Sequence, residues 1–290
     1  MRKIERPTKP GDFETRLAIV NANRRLREWV GIGKIPNEEF FKQSGNDPWN
    51  LHGAKKYDDY KELFFNAQHG RCAWCEMPVV QEAPADTDHY WPKAQVEHLS
   101  ADATRTEYGL KYVKLQSGSI DCVLAVGFWW RAFEWENWCL SCKFCNSSWK
   151  GSLFPMQCDG ENVPRPLLLN PFECEPSTHL KFSDDGRVDG LTDEGRETIR
   201  TLGLDRTSLN IVRAETAWRV HRAVDTICRT GAEADHDNAF LHLLDAINPA
   251  RSETRFPGVA RAIVQQRLLG VLAQLDDFNA KLASNAAGGI

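Results

Sequence analysis

Two short cysteine pairs, Cys72-Ala-Trp-Cys75 and Cys142-Lys-Phe-Cys145, have the spacing of metal knuckles. Four thiolates from two such knuckles complete a tetrahedral zinc and leave no position for substrate, so the chemistry they predict is structural. Cys139 lies three residues before Cys142, so a Cys139/Cys142 knuckle satisfies the same spacing. The chain has 9 cysteines, an odd number, and paired short spacings in a reducing compartment read as metal sites rather than disulfides. The 66 residues between the pairs exceed a compact zinc ribbon, so the metal would staple the two ends of an inserted module.

Between and beside the knuckles stand polar residues that could hydrolyse an ester. The runs are Asp88-His89-Tyr90-Trp91-Pro92-Lys93, Trp135-Glu136-Asn137-Trp138, Cys145-Asn146 and Lys150-Gly151. Cutting a phosphodiester needs a deprotonated water, a cation to offset developing negative charge, and help for the leaving oxygen. His89, neutral at pH 7, can accept the water's proton. Asp88 and the side-chain oxygen of Asn146 are hard ligands suited to Mg²⁺ or Mn²⁺. Asn146 directly follows a knuckle cysteine, so a structural zinc would fix the start of the helix that carries it. Lys150, about one helical turn further on, could meet a phosphate as a point charge, and Lys93 could do likewise. Glu97-His98 is a rival acid–histidine pair of similar composition.

The elements that must position these groups divide the chain in three. Residues 1–65 carry helical segments, one expected over Asp12–Val30 with an acidic start and arginines at its end. Residues 66–160 hold 7 of the 10 tryptophans and 7 of the 9 cysteines, in short aromatic runs separated by turn residues. That pattern predicts strands and irregular loops, with the tryptophans chiefly as core. Residues 161–290 open with a hairpin, His179–Ser183 and Arg187–Asp189 around Asp-Asp-Gly. Thr192 then caps a helix that Gly203 closes, Asp205 caps a longer one towards Arg229, and apolar residues recur at helical spacing over Phe240–Ile247 and Val259–Leu275. The expected class is α+β with mostly helical flanks.

Composition sets outer limits. Hydrophobic residues make up 42% and charged residues 26% of 290, which excludes a disordered or fibrous chain. No run approaches a membrane span, and no apolar stretch follows the basic start, so a cytoplasmic protein is expected. Net charge is −4, so nucleic-acid affinity must come from a local patch or from a partner.

Taken together, the pattern DH…N…CxxCN…K, with cysteine pairs outside the histidine and around the last asparagine, resembles the HNH (ββα-metal) endonucleases over roughly residues 66–160. The run FEWENWCLSCKFCNSSWKGSLFP, followed by LLLNPFE and HLKF, resembles their PtuB-type and retron-associated branch, as far as about residue 215. Members of that branch accompany an ABC-type, SMC-like ATPase in antiphage defence. The resemblance implies a zinc-stapled ββα-metal core, DNA as substrate and an ATPase partner. The net charge of −4, and the danger that a free nuclease poses to its host, predict a chain that is weakly active or silent until assembled. The resemblance also implies that Asn137 holds the histidine loop through backbone hydrogen bonds. DHYWPK matches the family's histidine segment, which favours Asp88-His89 over Glu97-His98. The chain departs from the pattern in having Asn146 at the last metal position, and in 47 residues between His89 and Asn137, where 97–127 form an excursion. An RNA-cutting nuclease and a non-cutting zinc assembly subunit are the rival readings.

Overall fold

Aromatic side chains bury the most apolar area per residue, and the core is built around them. The structure is a computed structural model, described for residues 1–43, 58–79, 85–97, 126–158, 164–228, 233–250 and 255–267. Phe13 packs edge-on against Trp135 and Trp138, each with ring centroids 5.3 Å away, and tilts against Tyr60 at 5.4 Å. A second group joins Tyr90, Trp91, Phe128 and Phe154. One buried cluster runs from Met1 and Phe13 through Trp74 and Trp138 to Leu202, Val220 and Ile263. Side chains from all three stretches therefore share a core.

Among the described residues there are three two-stranded antiparallel sheets. Strand β1 (Asp86–His89) pairs with β2 (Trp138–Ser141), placing Asp88 opposite Cys139 and His89 opposite Trp138. A π-helical segment, Phe144–Lys150, follows β2 almost directly and ends at Gly151, whose φ is +49°. Strands β3 (Met156–Cys158) and β4 (Pro164–Pro166) form the second sheet, β5 (Leu180–Phe182) and β6 (Val188–Gly190) the third. The third is the hairpin expected from Asp-Asp-Gly.

The helices are α1 (Leu17–Gly31), α2 (Glu38–Lys42), α3 (Asp58–Ala67), α4 (Asp193–Leu202), α5 (Thr207–Cys228), α6 (Glu233–Ile247) and α7 (Pro257–Arg267). The first begins later than its sequence suggests. Asp12 accepts a bond from Arg16 Nε at 2.8 Å, and a single 3-10 turn, Phe13–Thr15, ends where Arg16 turns extended, so the helix restarts at Leu17. Thr192 caps α4 through Gly195 N at 3.1 Å, and Gly203 closes it in the left-handed region, as the two residue types predict. No helix among the described residues is long and apolar enough to cross a membrane. His98, Cys122 and the apolar stretch beyond Arg267 lie outside the described residues.

Candidate active site and metal centre

The two knuckles converge. One ligand atom each from Cys72, Cys75, Cys142 and Cys145 lies within 4.8 Å of all the others. Cys75 Sγ and Cys142 Sγ are 3.7 Å apart, against about 3.8 Å for two thiolates on one tetrahedral zinc. Cys139 stands outside this group, on β2 opposite Asp88, where burial pushes its thiol up. Hydrogen bonds from the other three sulfurs pull the Cys75 thiol down. Burial pushes Cys72 up, and hydrogen bonding to Cys142 does the same for Cys145. Four crowded sulfurs cannot all ionise without a cation between them, so the donor set fits a structural Zn²⁺. Arg206 lies beside it: burial disfavours the guanidinium, yet the charges of Cys145, Cys75 and Cys142 outweigh that and raise its pKa.

The knuckle positions the polar residues. Trp74, between Cys72 and Cys75, is fully buried and donates its indole N–H to Asp88 Oδ2 at 2.8 Å. Gln68, at the end of α3, donates from Nε2 to Leu140 O at 2.8 Å and accepts Leu140 N at 2.8 Å, so its amide stands in for a neighbouring strand of β2. Asn137 is 1% exposed; its Oδ1 accepts Trp91 N at 2.7 Å, and its Nδ2 donates to Trp91 O and Arg131 O at 3.1 and 3.0 Å. The chain just after His89 is thereby fixed to the turn that precedes β2.

His89 ends β1 with Nε2 2.9 Å from Ala132 O. A carbonyl only accepts, so a neutral ring must carry its proton on Nε2, which leaves the Nδ1 lone pair as the basic position. Burial holds the His89 pKa well below the usual histidine range, and the positive charge of Lys93 adds to that. Lys93 also places its ammonium 5.0 Å from the centre of the Phe41 ring.

Asp88, Asn146 and Lys150 are engaged differently from what their types suggest. Lys150 is 1% exposed and donates to Asp88 Oδ1 at 2.9 Å and to His89 O at 2.7 Å. Asn146 turns its Nδ2 to Asp86 Oδ2, 3.2 Å away. A hard divalent ion needs open carboxylate oxygens and room for its waters. Asp88 is 2% exposed, with an indole N–H on one oxygen and an ammonium on the other, so Asp88 and Asn146 as arranged do not fit Mg²⁺ or Mn²⁺. Glu97 makes main-chain bonds to Ser152 and Phe154 and accepts from Gln95 Nε2 at 3.2 Å.

Sequence reasoning missed Trp74, Gln68, Ala132 and Arg206. Trp74 carried a signal, since it lies inside a knuckle whose ends converge on β1. The others are revealed only by the fold.

No family model matches the chain. It is similar to the Septu protein PtuB of Bacillus mycoides (strain KBAB4), with 28% identity over 174 residues, 57% of this chain and 52% of that protein. The match thus spans about half the length of the relative.

Proposed function

We propose that the chain is an HNH-type endonuclease that hydrolyses phosphodiester bonds in DNA, as the effector of an antiphage defence system gated by an ATPase partner. What carries the reading is His89. It ends a strand paired antiparallel with β2, its Nε2 is tied to a carbonyl, and its Nδ1 lone pair is available as a base held neutral by burial. The helical segment that follows β2 starts at a zinc-type knuckle, so the strand pair and the segment are clamped at one end.

In this reading Nδ1 of His89 takes a proton from water as the water attacks phosphorus, the bond from phosphorus to one ester oxygen breaks, and that leaving oxygen takes a proton from solvent. Asn137 keeps the imidazole in place by fixing the backbone on either side of its loop. Lys93 supplies positive charge on the same side. The HNH likeness implies a Mg²⁺ or Mn²⁺ ion as well, which Asp88 cannot accept while Lys150 holds it. The likeness to a Septu protein supports the defence role and a second subunit. A net charge of −4 suits a subunit that draws much of its nucleic-acid affinity from elsewhere.

The test is cleavage of supercoiled plasmid and of transfer RNA in Mg²⁺, by the chain alone and together with the proposed ATPase partner. Nicking or linearisation of plasmid, stronger in the complex, is the expected result. Cleavage of RNA alone would move the substrate, and intact DNA and RNA from the zinc-loaded complex would defeat the nuclease reading.

A further inference from the structure

We propose that Lys150 is the built-in cation of this centre: its ammonium holds the position on Asp88 that a divalent ion would take, so the residues as arranged exclude the ion from that carboxylate. This rests on the reading of Asp88-His89 as the hydrolytic centre.

A lysine this deeply buried is uncommon, because its charge must be fully paired to be tolerated. Lys150 meets that condition with two acceptors, the Asp88 carboxylate and the His89 carbonyl, both on one strand. The remaining Asp88 oxygen is taken by Trp74. A divalent ion on Asp88 Oδ1 would lie within a few ångströms of the ammonium, and in so dry a pocket the two positive charges exclude each other. The closed pair keeps the strand end neutral and ordered without metal.

The winding of the segment that bears Lys150 is what presents it to β1. Phe144–Lys150 is wound as a π-helix, with Gly151 N bonded to Asn146 O at 2.6 Å. Such wide turns are rare and occur often at functional sites.

The experiment uses the zinc-loaded full chain and measures Mn²⁺ binding by electron paramagnetic resonance, with Tm as a second readout. Compared are the wild type, Lys150→Met, Lys150→Arg, and Lys150→Met combined with Asp88→Asn. Wild type and Lys150→Arg should bind Mn²⁺ no more tightly than about 1 mM, and Lys150→Met at least about tenfold more tightly. Lys150→Met should melt below wild type without Mn²⁺ and recover several degrees with it, a gain that adding Asp88→Asn abolishes. Tight, Asp88-dependent binding by wild type or by Lys150→Arg would overturn the proposal, and the arginine variant keeps that test open should the methionine variant fail to fold. Equal Mn²⁺ affinity in wild type and a folded Lys150→Met would overturn it too. Plasmid cutting that His89→Ala abolishes upholds the hydrolytic centre whichever way Mn²⁺ behaves, so the two readings fail separately.

Discussion

Trp74 and His89 show how single residues link the cysteine cluster to the strand pair. The Trp74 indole N–H is buried against Asp88, so Trp74→Phe keeps the ring and strips one partner from a buried carboxylate. A loss of about 1–3 kcal/mol in urea unfolding is expected, and an unchanged midpoint would show that the bond contributes nothing. His89 gives a pH dependence whose sign is fixed by its depressed pKa. Above about 6.5 both folded and unfolded rings are neutral and the group is silent. As pH falls below that value the unfolded chain takes up a proton that the folded ring refuses, so stability declines until the much lower folded pKa is reached. His89→Gln should flatten that part of the profile between pH 7 and about 5, and an identical slope in the variant would contradict it. The convergence of Cys72, Cys75, Cys142 and Cys145 was legible because metal knuckles have a fixed short spacing. The pairing of Lys150 with Asp88 was not, since 62 residues separate them and only the packing of the helical segment on β1 brings them together.

At the scale of elements, the site is clamped from both ends. The knuckle fixes the start of the helical segment, and α4 fixes its far side through Gly203, where an added Cβ would fall inside the Trp149 ring. The same glycine has φ +57°. Gly203→Ala therefore meets a strained backbone and a clash at once, and should cost more than about 2 kcal/mol in chemical denaturation. A cost within a few tenths of a kcal/mol would mean that α4 does not brace the segment. Arg206, just beyond, donates to Gly203 O at 2.8 Å and sits beside the four sulfurs, so the end of α4 also carries charge to the metal centre. The β5–β6 hairpin and the caps of α4 were legible because turn and cap residues act within a few positions. The late start of α1 was not, because a local Asp12–Arg16 pair competes with the first turn. Nor was the π-helical winding after β2, which lies between a knuckle and a positive-φ glycine.

Across the whole molecule, one core joins the three stretches, so the centre is not an isolated insert. Glu76, next to Cys75 and 1% exposed, accepts Gly258 N of α7 at 2.9 Å and lies 3.8 Å from Arg2 Nε. The first residues of the chain and a late helix thus close over the zinc-type knuckle. The α+β composition of the fold was readable from aromatic runs and caps, whereas this closure depends on contacts across 182 residues. The proposed function turns on His89 as the base of a nuclease. The measurement that tests it most directly compares plasmid cleavage in Mg²⁺ by wild type and His89→Ala, each alone and with the proposed ATPase partner, and each with about one zinc per chain. Cutting by wild type, and a loss of at least about a hundredfold in the variant, is the predicted result. Equal cutting by both zinc-loaded proteins would contradict it.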